Sequence, residues 1–150
     1  MKLIVLMLLS CFTLSSHAPE MESIRINYTQ AASNKAICKE MIAKLKNYND
    51  PVQQAYLGAF QTIWAKHTIN PFEKLKTFNT GKTNVEESVV QAPSSAEIRL
   101  LRLSIQLNAP GFLGYNDNIA EDKKFILDNR SDIKSEALEK VIDECIKIKK

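Results

Sequence analysis

The chain has 150 residues, 45% of them hydrophobic and 25% charged, with a formal net charge of +3. That length suits one domain with a real core. Three cysteines exclude a disulfide-built scaffold, and nearly balanced charge without a basic run excludes an electrostatic footprint for nucleic acid.

The chain opens on a targeting pattern. Lys2 supplies a positive start, residues 3–14 form an apolar run broken only by Ser10, Cys11 and Thr13, and Ser15-Ser16-His17-Ala18 make a small, polar exit. That order matches a secretory signal peptide. The run is too short to span a bilayer, which takes about 20 residues, and it lacks the polar stripe of a buried amphipathic helix. Residues 1–18 therefore read as a signal peptide and 19–150 as a single α-helical domain. The expected address is periplasmic or secreted, with no transmembrane segment after signal removal. Ser16 and Ala18 suit the small-residue subsites of a signal peptidase, although Pro19 after the cut disfavours that bond. Leu8-Leu9-Ser10-Cys11 resembles a bacterial lipobox, and it leaves open a lipoprotein anchored at Cys11.

Helix signals dominate the remainder. Ile24, Ile26 and Tyr28 alternate as in a strand, but no second strand pattern exists to pair with them, so the segment reads as helix. Ile37, Met41, Leu45 and Tyr48 form one helical stripe; Tyr56, Phe60, Ile63 and His67 form the next, with Leu57 and Trp64 beside it. Asp50-Pro51 and Asn70-Pro71 each place a capping side chain before a proline suited to the first helical turn. Gln53 and Glu73 stand where they could complete capping boxes. Phe72, Leu75 and Phe78 lead toward Val85 and Val89. Ser94-Ser95-Ala96-Glu97 and Asn118-Ile119-Ala120-Glu121 repeat the start signal. Between them, residues 98–107 are apolar nearly all round, leaving Arg99, Arg102 and Gln106 as a narrow polar stripe. Such a helix belongs at the centre. Residues 109–115 form a loop whose Phe112, Leu113 and Tyr115 are too apolar for solvent; they either fold back or form an aromatic lip over a groove. Ile133, Ala137, Val141, Cys145 and Ile148 mark the last helix.

Gly81, Val85, Ser88 and Pro93 resemble half of a tetratricopeptide repeat, with Leu57-Gly58 resembling the Leu-Gly pair of its first helix. About eleven extra residues separate the two halves, and no 34-residue period recurs. The resemblance implies five to seven helices packed as antiparallel hairpins, without a repeat array. Tyr56-Leu57-Gly58-Ala59-Phe60, Glu97-Ile98-Arg99-Leu100-Leu101-Arg102 and Phe112-Leu113-Gly114-Tyr115 also resemble a family of exported helical proteins of Bacteroidetes-type bacteria over residues 36–130. That implies an envelope address and brings no catalytic residues.

Few constellations carry chemistry. His67 is the only histidine beyond the leader, and it reads as a packed or capping side chain. No Gly-x-Ser-x-Gly or Walker pattern is present, and no cofactor is implied. Asn116-Asp117-Asn118 with Glu121 and Asp122 lacks the glycine and terminal glutamate of an EF-hand; a helix start explains it better. Cys38 and Cys145 are either a disulfide closing a long loop or two buried thiols, and the thiols are favoured. Arg99 and Arg102 are either an anion clamp or ion pairs with Glu86, Glu87, Glu97 or Glu121 that seal the bundle. The expectation is a non-enzymatic binding or scaffold protein of the bacterial envelope, using a groove at Arg99, Arg102, Gln106 and Tyr115 for another envelope protein or peptide. The alternative is an envelope enzyme using the carboxylates near Asp117 and Glu121.

Overall fold

Five of the helices begin where a short polar side chain, Asn34, Asp50, Asn70, Ser95 or Ser135, satisfies otherwise orphaned backbone donors. A computed structural model describes residues 17–47 and 50–149. The apolar leader, Cys11 and Tyr48 lie outside the described residues. Seven α-helices and two short 3-10 turns make up the described residues, with no strand among them: α1 (His17–Ala31), α2 (Lys35–Leu45), α3 (Pro51–His67), α4 (Pro71–Gln91), α5 (Ala96–Asn108), α6 (Ile119–Asp128) and α7 (Glu136–Lys147). The fold is all-α. No helix among the described residues is long and apolar enough to cross a membrane.

Asp50 accepts from the N–H groups of Val52 and Gln53 at 3.0 and 3.1 Å, and Asn70 from those of Phe72 and Glu73 at 2.9 and 3.2 Å. Ser95 and Ser135 accept from Ile98 and Leu138, both at 3.3 Å. Asn118 begins α6 without capping it through its side chain; that side chain is engaged by Gln106 instead. The capping boxes do not form as expected. Gln53 is buried with its Nε2 lacking a hydrogen-bond partner, and Glu73 accepts from the Thr68 hydroxyl at 3.1 Å.

In α1 the alternation resolves as a helix. Met21, Ile24, Tyr28 and Ala31 turn inward at spacings of three and four, while Ile26 faces out. α5 sits at the centre and packs on α3, α4, α6 and α7; Ile98, Leu100, Leu101, Leu103, Ile105 and Leu107 are all buried. Tyr28 meets Tyr56 and Phe60 edge-on, with centroids 5.9 and 6.0 Å apart, a favoured arrangement that adds to the gain from burial.

The most intimate packing joins α3 and α4. Gly58 and Gly81 face each other so closely that a Cβ on Gly58 would stand 2.5 Å from the Gly81 carbonyl oxygen, and one on Gly81 would stand 2.4 Å from that of Gly58. Only glycine lets the two backbones approach this far. Beyond this crossing both helices run on, residues 59–67 and 71–80, to a tight turn at Thr68, Ile69 and Asn70. On the α3 side of this tip Phe60 and Ala65 stay buried, and the start of α4 faces outward. Phe72, expected on an inward stripe, is therefore 87% exposed, and Leu75 is half-exposed.

Candidate ligand-binding site

The polar residues of α5 form a closed network. The Arg102 guanidinium, 5% exposed, donates to both carboxylate oxygens of the fully buried Asp122, at 2.7 and 2.8 Å. It also donates to Glu86 at 3.2 Å. Burial alone would lower its pKa, but Asp122 and Glu86 more than offset this and raise it. Arg99 donates to the Pro93 carbonyl at 2.7 Å, to Glu121 at 2.9 Å and to Asp122 at 3.2 Å, and lies over the Phe125 ring. Tyr115 is buried and donates its hydroxyl to Glu86; its own proton is held by burial and by the adjacent carboxylate. Gln106 donates to Asn118 at 3.2 Å and accepts from its N–H at 3.3 Å.

The structure thus brings Arg99, Arg102, Gln106 and Tyr115 together, but as the seam joining α4, α5 and α6. A shallow depression of about 410 Å³ lies next to this seam along α4, lined by Glu86, Glu87 and Val90 among others, and none of the four residues lines it. A second seam has the same design: Glu97 takes a bidentate contact from Arg25, at 2.8 and 2.8 Å, and the Tyr56 hydroxyl at 2.7 Å. Its hydrogen bonds raise the Arg25 pKa against the opposing effect of burial.

The residues of the enzyme alternative face solvent. Asp117 and Glu121 are exposed, and Arg99 and Asn118 lower the Glu121 pKa by hydrogen bonding. That favours a fixed carboxylate over a proton donor. Among the described residues no His, Cys, Asp and Glu group of three or more could hold a metal ion. His67 bonds the Ala31 carbonyl at 2.8 Å and packs beside Trp64, which ties α3 to the end of α1.

Cys38 and Cys145 are both free and buried. The Cys38 thiol contacts the Phe60 carbonyl at 3.3 Å, and burial pushes each thiol up to about 11. The disulfide weighed from the sequence is not formed.

A larger concave surface lies on the other side of α5. Ser104, Ile105 and Asn108 face it, and Ser104 is two residues on from Arg102, about 200° further round the helix. Here a cleft of about 630 Å³ opens between the α3–α4 tip, the end of α1, the end of α5 with its following turn, and α7. Ile63, Leu75, Phe78, Ile105 and Leu113 give it apolar walls; Phe112, 87% exposed, stands at its mouth. The α3 and α4 residues that line it, from Thr62 to Lys66 and from Pro71 to Phe78, all lie beyond the glycine crossing. The loop at 109–115 has divided roles: Tyr115 folds back into the core, and Phe112 and Leu113 border the cleft. The sequence expectation of an aromatic lip falls on Phe112, away from Tyr115. Ser104, Ile63, Leu75 and Phe78 were missed as site residues, because nothing local distinguishes a cleft wall from a core stripe.

Comparison with known proteins gives no match: no family model, no curated protein and no solved structure aligns with the chain.

Proposed function

We propose that this chain is an exported, non-enzymatic binding protein of the bacterial envelope that holds its ligand in the apolar cleft. The observation that carries this reading is the cleft itself. Its volume falls within the range of about 300–1,000 Å³ typical of small-ligand sites, its walls are chiefly apolar, and several elements converge on it. The export reading rests on the N-terminal pattern of positive start, apolar run and small-residue exit. The α3–α4 hairpin is tetratricopeptide-like in placing small residues at the helix crossing, with an elongated tip that supplies one wall of the site.

The test uses the uncharged fluorophore 1-N-phenylnaphthylamine. Saturable binding with one probe per chain is expected, weakened in Ile63→Trp, whose larger side chain projects into the cleft, with the far-ultraviolet spectrum unchanged. Absence of saturable binding to the wild type would remove the reading. Mass spectrometry of the protein from an envelope fraction tests the address: a mature N-terminus at Pro19, or a lipidated Cys11, supports export, and an intact Met1 in the cytoplasm counts against it.

A further inference from the structure

The charge and hydrogen-bond state of the cleft's lining restrict what it can take. Three lysines from three different helices line it, Lys66 on α3, Lys74 on α4 and Lys140 on α7, against a single acid, Glu144. All three lysines are exposed, and none forms an ion pair among the described residues, whereas Lys44 and Lys124 elsewhere do. The neutral polar groups of the lining are in a different state. The Tyr28 hydroxyl donates to Ser104 at 3.0 Å, Thr29 to the Ile26 carbonyl at 2.7 Å and Thr62 to the Ala59 carbonyl at 2.8 Å. The Asn108 amide donates to the Ser104 carbonyl at 2.8 Å. The three hydroxyls and one N–H of the Asn108 amide are committed to the protein.

A peptide entering the cleft would bring backbone N–H and C=O groups that need partners, and leaving them unpaired is costly. An acyl chain brings none. Uncommitted cations at the rim of an apolar trough select a ligand that is apolar along most of its length and negative at one end. We propose that the ligand is a monomeric single-chain fatty acid, its chain along Ile63, Leu75, Phe78, Ile105 and Leu113 and its carboxylate held by Lys66, Lys74 and Lys140. This rests on the cleft being the binding site and goes further by naming the ligand class.

The test compares three twelve-carbon probes, dodecanoate and dodecyltrimethylammonium below their micellar concentrations and dodecanol below its solubility limit, as displacers of phenylnaphthylamine from the full mature chain. Dodecanoate is expected to displace with one molecule per chain, about tenfold more tightly than dodecanol, with the ammonium weakest. In the triple variant K66Q/K74Q/K140Q, dodecanoate affinity should fall to that of dodecanol while dodecanol affinity stays constant. Surface substitutions of this kind leave folding intact, which a far-ultraviolet spectrum checks. Equal affinities for all three probes, unmoved by the triple variant, would overturn the fatty-acid assignment and leave the cleft standing. Displacement by none of them, with phenylnaphthylamine itself failing to bind, would remove the cleft reading too. Tighter displacement by an acidic amphipathic peptide, or sedimentation with phosphatidylglycerol vesicles without uptake of monomeric dodecanoate, would also overturn the assignment.

Discussion

Replacing Gly58 with alanine tests the α3–α4 crossing directly. The added methyl would stand 2.5 Å from the Gly81 carbonyl oxygen, 2.8 Å from Val85 Cγ2 and 3.0 Å from Asn84 Cβ. The first of these is backbone, so no side-chain rotation relieves it and the helices must separate. Overpacking of this kind costs about 1–3 kcal/mol, and a backbone clash belongs at the upper end. Alanine also gains about 1 kcal/mol over glycine in helix propensity, which leaves a net loss of about 2 kcal/mol. At about 4 °C per kcal/mol for a domain of this size, the melting temperature should fall by about 8 °C. Gly81→Ala meets the Gly58 oxygen at 2.4 Å and two Thr62 atoms at 2.8 Å, and should cost a similar amount. Because both methyls press on the same crossing, the helices need separate only once, and the double variant should lose less than the sum. Thermal and urea unfolding followed by circular dichroism reads all three. If Gly58→Ala matched or exceeded the wild type in stability, propensity alone would be at work and the close crossing would be refuted.

Asp122→Ala leaves the Arg102 guanidinium buried without its bidentate partner, and should lower stability by about 3–5 kcal/mol in urea unfolding; Tyr115→Phe, which removes only the hydroxyl donated to Glu86, should cost about 1.5–3 kcal/mol. Phe112→Ser, at a side chain that is 87% exposed, should change stability by less than about 0.5 kcal/mol while weakening phenylnaphthylamine binding, so unfolding and titration separate in one variant. Burial raises the Cys38 and Cys145 pKa from about 9 to about 11. Their contribution to stability is full below pH 9 and is lost as pH rises from 9 to 11, because the unfolded chain ionises first. Urea midpoints across this window should therefore decline less steeply in C38A/C145A than in the wild type, and both thiols should resist alkylation at pH 8 until denaturant is added.

Much of the helix plan was legible because its signals are local. Asp50-Pro51 and Asn70-Pro71 hold both the cap and the first turn within a few residues, and the structure starts α3 and α4 there. The central place of α5 followed from Ile98 to Leu107 leaving almost no polar face. What escaped depends on neighbours distant in the chain. Phe72, Leu75 and Phe78 share a helical stripe with Val85, but periodicity gives only direction around a helix. It does not say where the adjoining bundle ends, so Phe72 and Leu75 extend past it. Arg99 and Arg102 on a central helix require acidic partners, and the sequence offers Glu86 and Glu121 among them. Asp122, the one that is fully buried, looked from its position like an ordinary first-turn acid of α6. The cleft itself was invisible, since its walls come from five helices and two of its lining hydroxyls, Tyr28 and Ser104, meet across a separation of 76 residues.

The glycine pair has a mechanical corollary. Past the crossing α3 is anchored, with Phe60 buried and His67 bonded to the Ala31 carbonyl, whereas α4 exposes Phe72 and Leu75 and is the freer arm. With a rise of about 1.5 Å per residue, residues 71–80 reach about 15 Å past the crossing, so turning that arm by about 10° carries its tip about 3 Å. The aperture facing α5 and α7 thus depends on the angle at this crossing, which Val85, Asn84 and Thr62 surround and an Asn84–Gln61 hydrogen bond of 2.7 Å braces.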